Sequence, residues 1–321
     1  MTRCVLAIDI GATRVRVAVI EENGTILWRE SLLTLANDGP TATLERIAVV
    51  MRQALASTGG SQVTAIGIGA PGPLDPWLGV IYDPPNLPGW DALPLKRILQ
   101  DQFGLPVHLG NDANLAGLGE HHYGAGLGTD DMVYLTISNG IGGGIISRGR
   151  LLLGADGLAG EIGHTSVEAR GRLCKCGNRG CLEVMAAGPA IARRGAGVVR
   201  RGGAPGIAAR AGSDPKAVTA EMVVGAALAG DSTARQIVER AGFYVGVGVV
   251  NLVHTLNPRL IIIGCGVALG AGDLLLDPVR ATVAARAMPP FRRDLRILPA
   301  SLGDDAGLLG ALALALGGGD A

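Results

Sequence analysis

The sequence predicts an α/β protein of two similar halves with a cleft between them. Three observations carry this. A strand–glycine turn–strand unit opens twice, near residues 5–20 and again near 132–146. Segments with a 3.6-residue apolar period alternate with short strand-like runs. The 321 residues are enough for two core-forming domains and exceed what one ordinary domain holds.

The first half opens at Met1–Ile10, already strand-like, and continues through Val5-Leu-Ala-Ile-Asp9-Ile-Gly11-Ala-Thr13-Arg-Val-Arg-Val-Ala-Val-Ile20 as strand, turn, strand. Asn23-Gly24 signals a type I′ hairpin, and Ile26–Leu33 supplies a third antiparallel strand. A helix is expected over Thr41–Thr58, with Leu44, Ile47, Val50, Met51 and Leu55 on one face. Strand Ala65–Gly69, a Pro- and Gly-rich loop to about Pro94, a short helix and strand Val107–Leu109 complete a βββαβα run. The second half begins with strand Met132–Ile137, a turn over Ser138–Gly144 and a return strand from Ile145. Helices follow at Thr219–Ala229 and Ser232–His254, then strand Leu260–Ile263, helix Leu275–Ala287, strand Leu295–Leu298 and a closing apolar helix, Ala306–Leu316. Arg193–Ala217, rich in Gly, Arg and Ala, breaks the pattern and reads as a solvated linker, although its five arginines could touch a phosphate.

Composition narrows the function. Twenty-eight basic side chains balance 28 acidic ones, which argues against general attraction to nucleic acid or an anionic membrane. No secretory signal and no uninterrupted apolar stretch of spanning length is visible, so a soluble, cytoplasmic protein is expected. Cys4 and Cys265 stand alone, whereas Cys174, Cys176 and Cys181 crowd into eight residues. Without a secretory signal, that density points to metal rather than disulfides.

Several constellations carry chemistry. Gly11 with Thr13, and Gly140, Gly142 and Gly143, permit backbone N–H groups to approach a phosphate closely. Asp9, at the end of the first strand, is placed to hold Mg²⁺ through water. Neither turn is a P-loop. Asn111-Asp112-Ala113-Asn114 lies between a strand and a helix, where Asp112 could act as a general base or merely cap the helix; these four residues alone favour the cap. His164 with Cys174, Cys176 and Cys181 makes a full tetrahedral Zn²⁺ set with no open position, hence structural. Glu161 and Glu183 bracket that loop and could accept sugar hydroxyls, though either alone reads as a surface acid. Leu260-Ile-Ile-Ile-Gly264-Cys-Gly266, a buried strand ending in Gly-x-Gly before a loop to a helix, can pass beside an adenine.

Taken in order, Asp9-Ile-Gly-Ala-Thr13, Gly69-Ala-Pro-Gly72, Asn86-Leu-Pro-Gly-Trp90, Asn111-Asp112-Ala-Asn114, Gly140-Ile-Gly-Gly-Gly144, Glu161-Ile-Gly-His164, the Cys174–Cys181 run with Glu183, and Gly264-x-Gly266 closely resemble the ROK family, and within it the bacterial glucokinases. The resemblance implies an actin-like ATPase fold of two ribonuclease-H-like halves with a central cleft. It divides the chain into a small domain, 1–115 plus 300–321, and a large one, 116–299, carrying the zinc loop. It makes Asp112 the catalytic base and assigns the sugar to Gly72, Asn86, Asn111, Asp112, Glu161, His164 and Glu183. His164 would serve twice, on zinc with one nitrogen and on the sugar with the other. ATP with Mg²⁺ would meet Asp9, Gly11, Ala12, Thr13, Arg14, Asn139, Gly140, Gly142, Gly143, Gly264 and Gly266. The first turn departs from the family's usual Gly-Gly-Thr-Lys at Ala12 and Arg14. Asn139 replaces a Thr in the second turn, and Cys265 replaces a Gly near the adenine.

The expected reaction is transfer of the ATP γ-phosphoryl group to a hexose, glucose first, by a homodimer or homotetramer. N-acetylmannosamine, allose or fructose are alternative substrates. A sugar-sensing regulator without turnover is the rival class. A repressor with a DNA-binding domain is disfavoured, because only eight residues precede Asp9.

Overall fold

A computed structural model describes residues 3–57 and 62–318. The chain forms strands β1 (Arg3–Ile10), β2 (Arg14–Glu21) and β3 (Ile26–Leu33), helix α1 (Gly39–Ala56), strand β4 (Gln62–Ala70), the two-residue strands β5 (Leu74–Asp75) and β6 (Val80–Ile81), helix α2 (Leu95–Phe103), strand β7 (Val107–Asn111) and helix α3 (Asp112–Tyr123). Then come β8 (Met132–Ile137), β9 (Ile141–Ser147), β10 (Arg150–Leu151), α4 (Leu182–Ala186), α5 (Gly188–Arg200), α6 (Pro205–Arg210), α7 (Ala220–Leu228), α8 (Ser232–Leu256), β11 (Leu260–Gly264), α9 (Gly266–Ala271), α10 (Asp273–Arg286), α11 (Pro289–Arg292), β12 (Arg296–Pro299) and α12 (Ala306–Ala313).

The repeat expected from sequence is a repeat of sheet topology. One five-stranded sheet has the order β3-β2-β1-β4-β7, the other β10-β9-β8-β11-β12. In each, the third, second and first strands lie side by side, followed by the fourth and fifth. β1 runs antiparallel to β2 and parallel to β4, and β8 is parallel to β11. Strands such as β1 and β11 are covered on both faces, which is why they read as nearly continuous apolar runs.

Packing divides the chain into two units. The first holds the described residues up to Asp130, Gly144–Gly160 and those from Leu302 onward; the second holds Asp131–Gly143 and Glu161–Ser301. In the first unit one sheet face buries Leu6, Ile8, Ile47, Met51, Ile66, Trp90 and Leu99 in a single cluster. α12 packs against α3 and β1, and two glycines allow the approach. A Cβ at Gly310 would fall on the Leu115 carbonyl, and one at Gly119 on the Ala306 carbonyl. A division at residue 115 would cut α3, which runs through it as one helix. In the second unit α10 lies along α8, admitted by Gly242 and Gly246 one turn apart.

Several expectations are corrected. Asn23-Gly24 is not a type I′ turn: only Gly24 has positive φ (90°), and Gly24 N–H donates to the Glu21 carbonyl at 2.9 Å. That is a type I turn followed by a left-handed glycine, with the register shift of a bulge between Val19 and Ile20. The helix expected over Thr41–Thr58 starts at Gly39 and is described to Ala56; Thr58 lies outside the described residues, as do Met1, Thr2 and residues 319–321 of the expected first domain. The second glycine turn is shorter than expected, because Gly142, Gly143 and Gly144 belong to β9. β9 is closely covered at Gly143, where a Cβ would meet Ile162 and, at 2.8 Å, the Tyr134 carbonyl. Arg193–Ala217 is not a linker. It contains the end of α5 and all of α6, whose Ile191, Val199 and Ile207 are buried. Four glycines in α5 and α6 hid the period, since a glycine contributes no apolar side chain. No loop separates Gly264-x-Gly266 from the next helix, for α9 begins at Gly266. Among the described residues no helix is long and apolar enough to cross a membrane.

Candidate active site

The first unit brings two carboxylates to the C-terminal ends of parallel strands. Asp9 closes β1 and Asp112 follows β7, with β4 between them. Two strand spacings put these ends roughly 10 Å apart. Gly69 on β4 lies between: its Cβ position is 3.7 Å from Asp9 Oδ1 and 3.8 Å from the Asp112 Cα. The carboxyl ends of parallel strands are where α/β sheets bind ligands, because helix N-termini and loops converge there.

Asp9 accepts a hydrogen bond from Arg16 Nη1 at 3.1 Å, and Arg16 Nη2 also reaches Asp304 at 3.4 Å. Gly307, in the first turn of α12, is close enough that its Cβ would be 2.9 Å from the Asp9 Cγ. Burial raises the Asp9 pKa above the ordinary carboxylate range, more than the Arg16 guanidinium lowers it. An added cation would relieve that cost, which fits a carboxylate expected at Mg²⁺. Arg16 was missed from the sequence, although the hairpin register Asp9↔Arg16 places it directly opposite.

In the first turn Gly11 N–H donates to the Arg14 carbonyl at 2.9 Å, so it is committed to the turn. Thr34 N–H bonds the Thr13 carbonyl at 2.9 Å and its Oγ1 donates to the Gly11 carbonyl at 2.7 Å, tying the turn to the end of β3. Ala12, Thr13 and Arg14 are exposed.

The N-cap of α3 is Asn111, not Asp112. Asn111 Oδ1 accepts from Ala113 N–H at 3.0 Å and Asn114 N–H at 3.2 Å, and Asp112 is the first helical residue. Asp112 Oδ1 also accepts from Ala113 N–H, at 2.8 Å. Gly72 lies against Asn111: a Cβ there would be 3.2 Å from Asn111 Nδ2. Asn86 is exposed in the loop before α2, which is pinned by fully buried Leu87 and Trp90.

In the second unit Ser138, exposed Asn139 and Gly140 form the turn, with Ser138 N–H bonded to the Gly140 carbonyl at 3.0 Å. Glu183 belongs to this turn as well as to the cysteine loop. Its Oε2 accepts from Ile141 N–H at 3.1 Å, and a Cβ on Gly140 would lie 2.7 Å from it. A side chain at 140 would have to push the Glu183 carboxylate away from Ile141 N–H. At the end of β11, Gly264 faces the Tyr134 hydroxyl, and Cys265 takes φ 69° and ψ 174°, a conformation that is almost exclusively glycine's. That explains why a glycine is expected at this position.

The four ligand atoms of His164, Cys174, Cys176 and Cys181 lie within 4.8 Å of one another. Cys176 and Cys181 Sγ are 3.6 Å apart, and Cys174 Sγ is 3.7 Å from His164 Nδ1. A tetrahedron with bonds of about 2.3 Å has edges of about 3.8 Å, so the set fits zinc; a disulfide would need about 2.05 Å. The remaining His164 nitrogen, Nε2, is 4.0 Å from Glu161 Oε2. Burial pushes the Cys181 thiol up to about 12, while the Asn178 backbone N–H lowers the Cys176 thiol. Metal would have to displace the Cys181 proton.

Within the first unit the structure therefore groups Asp9, Arg16 and Gly307, and separately Gly72, Asn111 and Asp112. Within the second it groups Gly140 with Glu183, and Glu161 with His164 and the three thiols. The sequence profile described as the ROK family matches residues 5–317. The chain is 37% identical over 309 residues to a glucokinase of Thermotoga maritima, covering 96% of each. It is 30% identical over 316 residues to a xylose repressor of Caldicellulosiruptor bescii, covering 97% of this chain and 78% of the repressor. A crystal structure of a ROK family glucokinase from Streptomyces griseus, in complex with glucose and AMPPNP, is similar with a TM-score of 0.84 and 33% identity, covering 98% of this chain and 99% of that one.

Proposed function

The chain belongs to the ROK family and has its actin-like ATPase fold, and from that premise we propose that it transfers the γ-phosphoryl group of ATP to a hexose, glucose first, giving glucose 6-phosphate and ADP. Asp112 carries the reading. With Asn111 making the cap, Asp112 is not needed to start α3, and a carboxylate at the first helical position can accept a proton. It takes the proton from the sugar O6 hydroxyl as that oxygen bonds the γ-phosphorus, and the bond from phosphorus to the ADP oxygen breaks.

Asn86, Asn111, Glu161, His164 and Glu183 accept or donate to the other hydroxyls, with Gly72 leaving room beside Asn111. Thr13, Arg14 and Asn139, with Gly11, Ala12, Gly140, Gly142 and Gly143 around them, meet the phosphates, and Gly264 and Gly266 border the adenine. Asp9 would hold Mg²⁺ through water, and the ion would neutralise phosphate charge. His164, Cys174, Cys176 and Cys181 would hold a structural zinc that fixes His164 Nε2 and Glu161. The protein works in the cytoplasm as a homodimer or homotetramer, supplying glycolysis.

The test is ADP release from ATP·Mg²⁺ with glucose, mannose, fructose, allose, N-acetylmannosamine and N-acetylglucosamine. Turnover with glucose above the others is expected. Asp112→Asn should lower kcat by about 10²–10⁴ with little change in sugar binding. No turnover with any sugar in zinc-loaded protein, or near-wild-type turnover in the variant, would overturn the reading.

A further inference from the structure

Charge is unevenly placed in this neutral chain. Residues 161–210 hold nine Lys and Arg against three Glu. The structure orders much of that surplus on α5, α6 and the cysteine loop. Arg193 Nη2 donates to the Val184 carbonyl at 2.9 Å and its Nη1 to the Pro189 carbonyl at 3.5 Å; Arg194 Nη1 donates to the Met185 carbonyl at 2.6 Å. Both guanidiniums are thereby held on α4 and the start of α5. Arg194 and, from α8, Arg240 lie over the buried Tyr244 ring, 5.6 and 5.9 Å from its centre, and Arg240 Nη2 reaches the Tyr244 hydroxyl at 3.5 Å.

What these arginines lack is a negative partner. Elsewhere on α8, Arg235 pairs with Glu239 at 3.0 Å. Among the described residues no ion pair reaches Arg172, Arg193, Arg194 or Arg240. Burial, and then the neighbouring Arg172, lowers the Arg193 pKa; burial, Arg240 and Arg193 lower that of Arg194. Carbonyl dipoles satisfy individual N–H groups but leave the net charge. Half-buried, mutually repelling guanidiniums with fixed planar forks suit a phosphate, whose oxygens accept paired N–H bonds.

We propose that Arg194 and Arg240, with Arg193 next to Arg194 on α5, form an anion site on the second unit, beside Tyr244, that takes a phosphate dianion, either inorganic phosphate or the phosphate of a phosphosugar. The site is separate from the residues assigned to the reaction. The arginine-rich stretch is thus a binding element rather than a solvated connection.

Calorimetric titration of inorganic phosphate into zinc-loaded protein, already saturated with glucose and Mg·AMPPNP, tests this with the reacting site filled. One saturable phosphate site is expected, displaced by sulfate and not by chloride. Arg240→Gln, at an exposed position, should weaken it about tenfold, the value of one charge-assisted hydrogen bond, with unchanged kcat. Arg194→Lys, which keeps the charge and loses the fork, should also weaken it. Glucose 6-phosphate binding more tightly than phosphate in the same saturated protein would identify a phosphosugar as the ligand; equal affinities would identify phosphate itself. Heat that never saturates, or affinity unchanged in both Arg240→Gln and Arg194→Lys, would overturn the proposal.

Discussion

Two glycines two residues apart in α5 should respond to alanine with opposite signs. At Gly195 a Cβ would lie 2.6 Å from Val223 Cγ2 and 3.1 Å from Val218 Cγ1. At Gly197 the nearest atom is the flexible end of Arg201, 3.7 Å away. Both are interior helix positions, so each alanine gains about 0.5–1 kcal/mol of backbone entropy and helix propensity. Gly197→Ala should keep that gain. Gly195→Ala should lose about 1–3 kcal/mol to overpacking, since valine is stiff at χ1 and cannot swing aside. The difference between the variants isolates the packing cost, because the backbone contribution cancels. In a unit of this size about 1 kcal/mol moves Tm by about 2–4 °C, so the two melting curves should separate by roughly 2–12 °C. Differential scanning calorimetry of the wild type and both variants measures it. Equal shifts for the two would mean that residues 188–200 do not form a helix packed on α7, and would refute the packing described for the arginine-bearing face.

Three further outcomes are expected. Asp9→Asn should stabilise the metal-free protein while lowering turnover, because burial raises the Asp9 pKa. The native state then binds the proton more tightly than the unfolded chain, and stability falls as pH rises from about 3.8 through the native pKa. The variant's Tm advantage should therefore vanish below about pH 4 and reach a plateau above the native pKa; an advantage independent of pH would contradict this. Removing metal with a strong zinc chelator should lower Tm and weaken sugar binding, and metal analysis should find about one zinc per chain in untreated protein; zinc-free protein with unchanged sugar affinity would oppose it. Cys265→Gly should raise stability by about 1 kcal/mol: relief of about 1–3 kcal/mol of backbone strain exceeds the added freedom of the unfolded glycine. A lower Tm in that variant would show that the cysteine side chain matters more than its backbone.

The sequence by itself determined the elements whose causes are local. Asn111-Asp112 at a strand–helix junction, the three cysteines near His164, and the repeated strand–glycine turn–strand opening are all short-range patterns; the first two hold at the residues quoted, and the third holds with a shorter second turn, since β9 begins at Ile141. The type I′ turn failed because Asn-Gly also suits a type I turn with a following left-handed glycine, and the choice between them depends on cross-strand register. The α5–α6 helices were missed because their glycines leave space for neighbours such as Val223, and a missing side chain gives no periodic signal. Only the tertiary structure decided that Arg16 faces Asp9, that Glu183 ties the second glycine turn to the cysteine loop, and that Arg194 and Arg240 meet over the Tyr244 ring with no ion pair among the described residues. Each of these depends on which strands and helices become neighbours, and such pairings are set by packing between segments far apart in the chain rather than by the residues within any one of them.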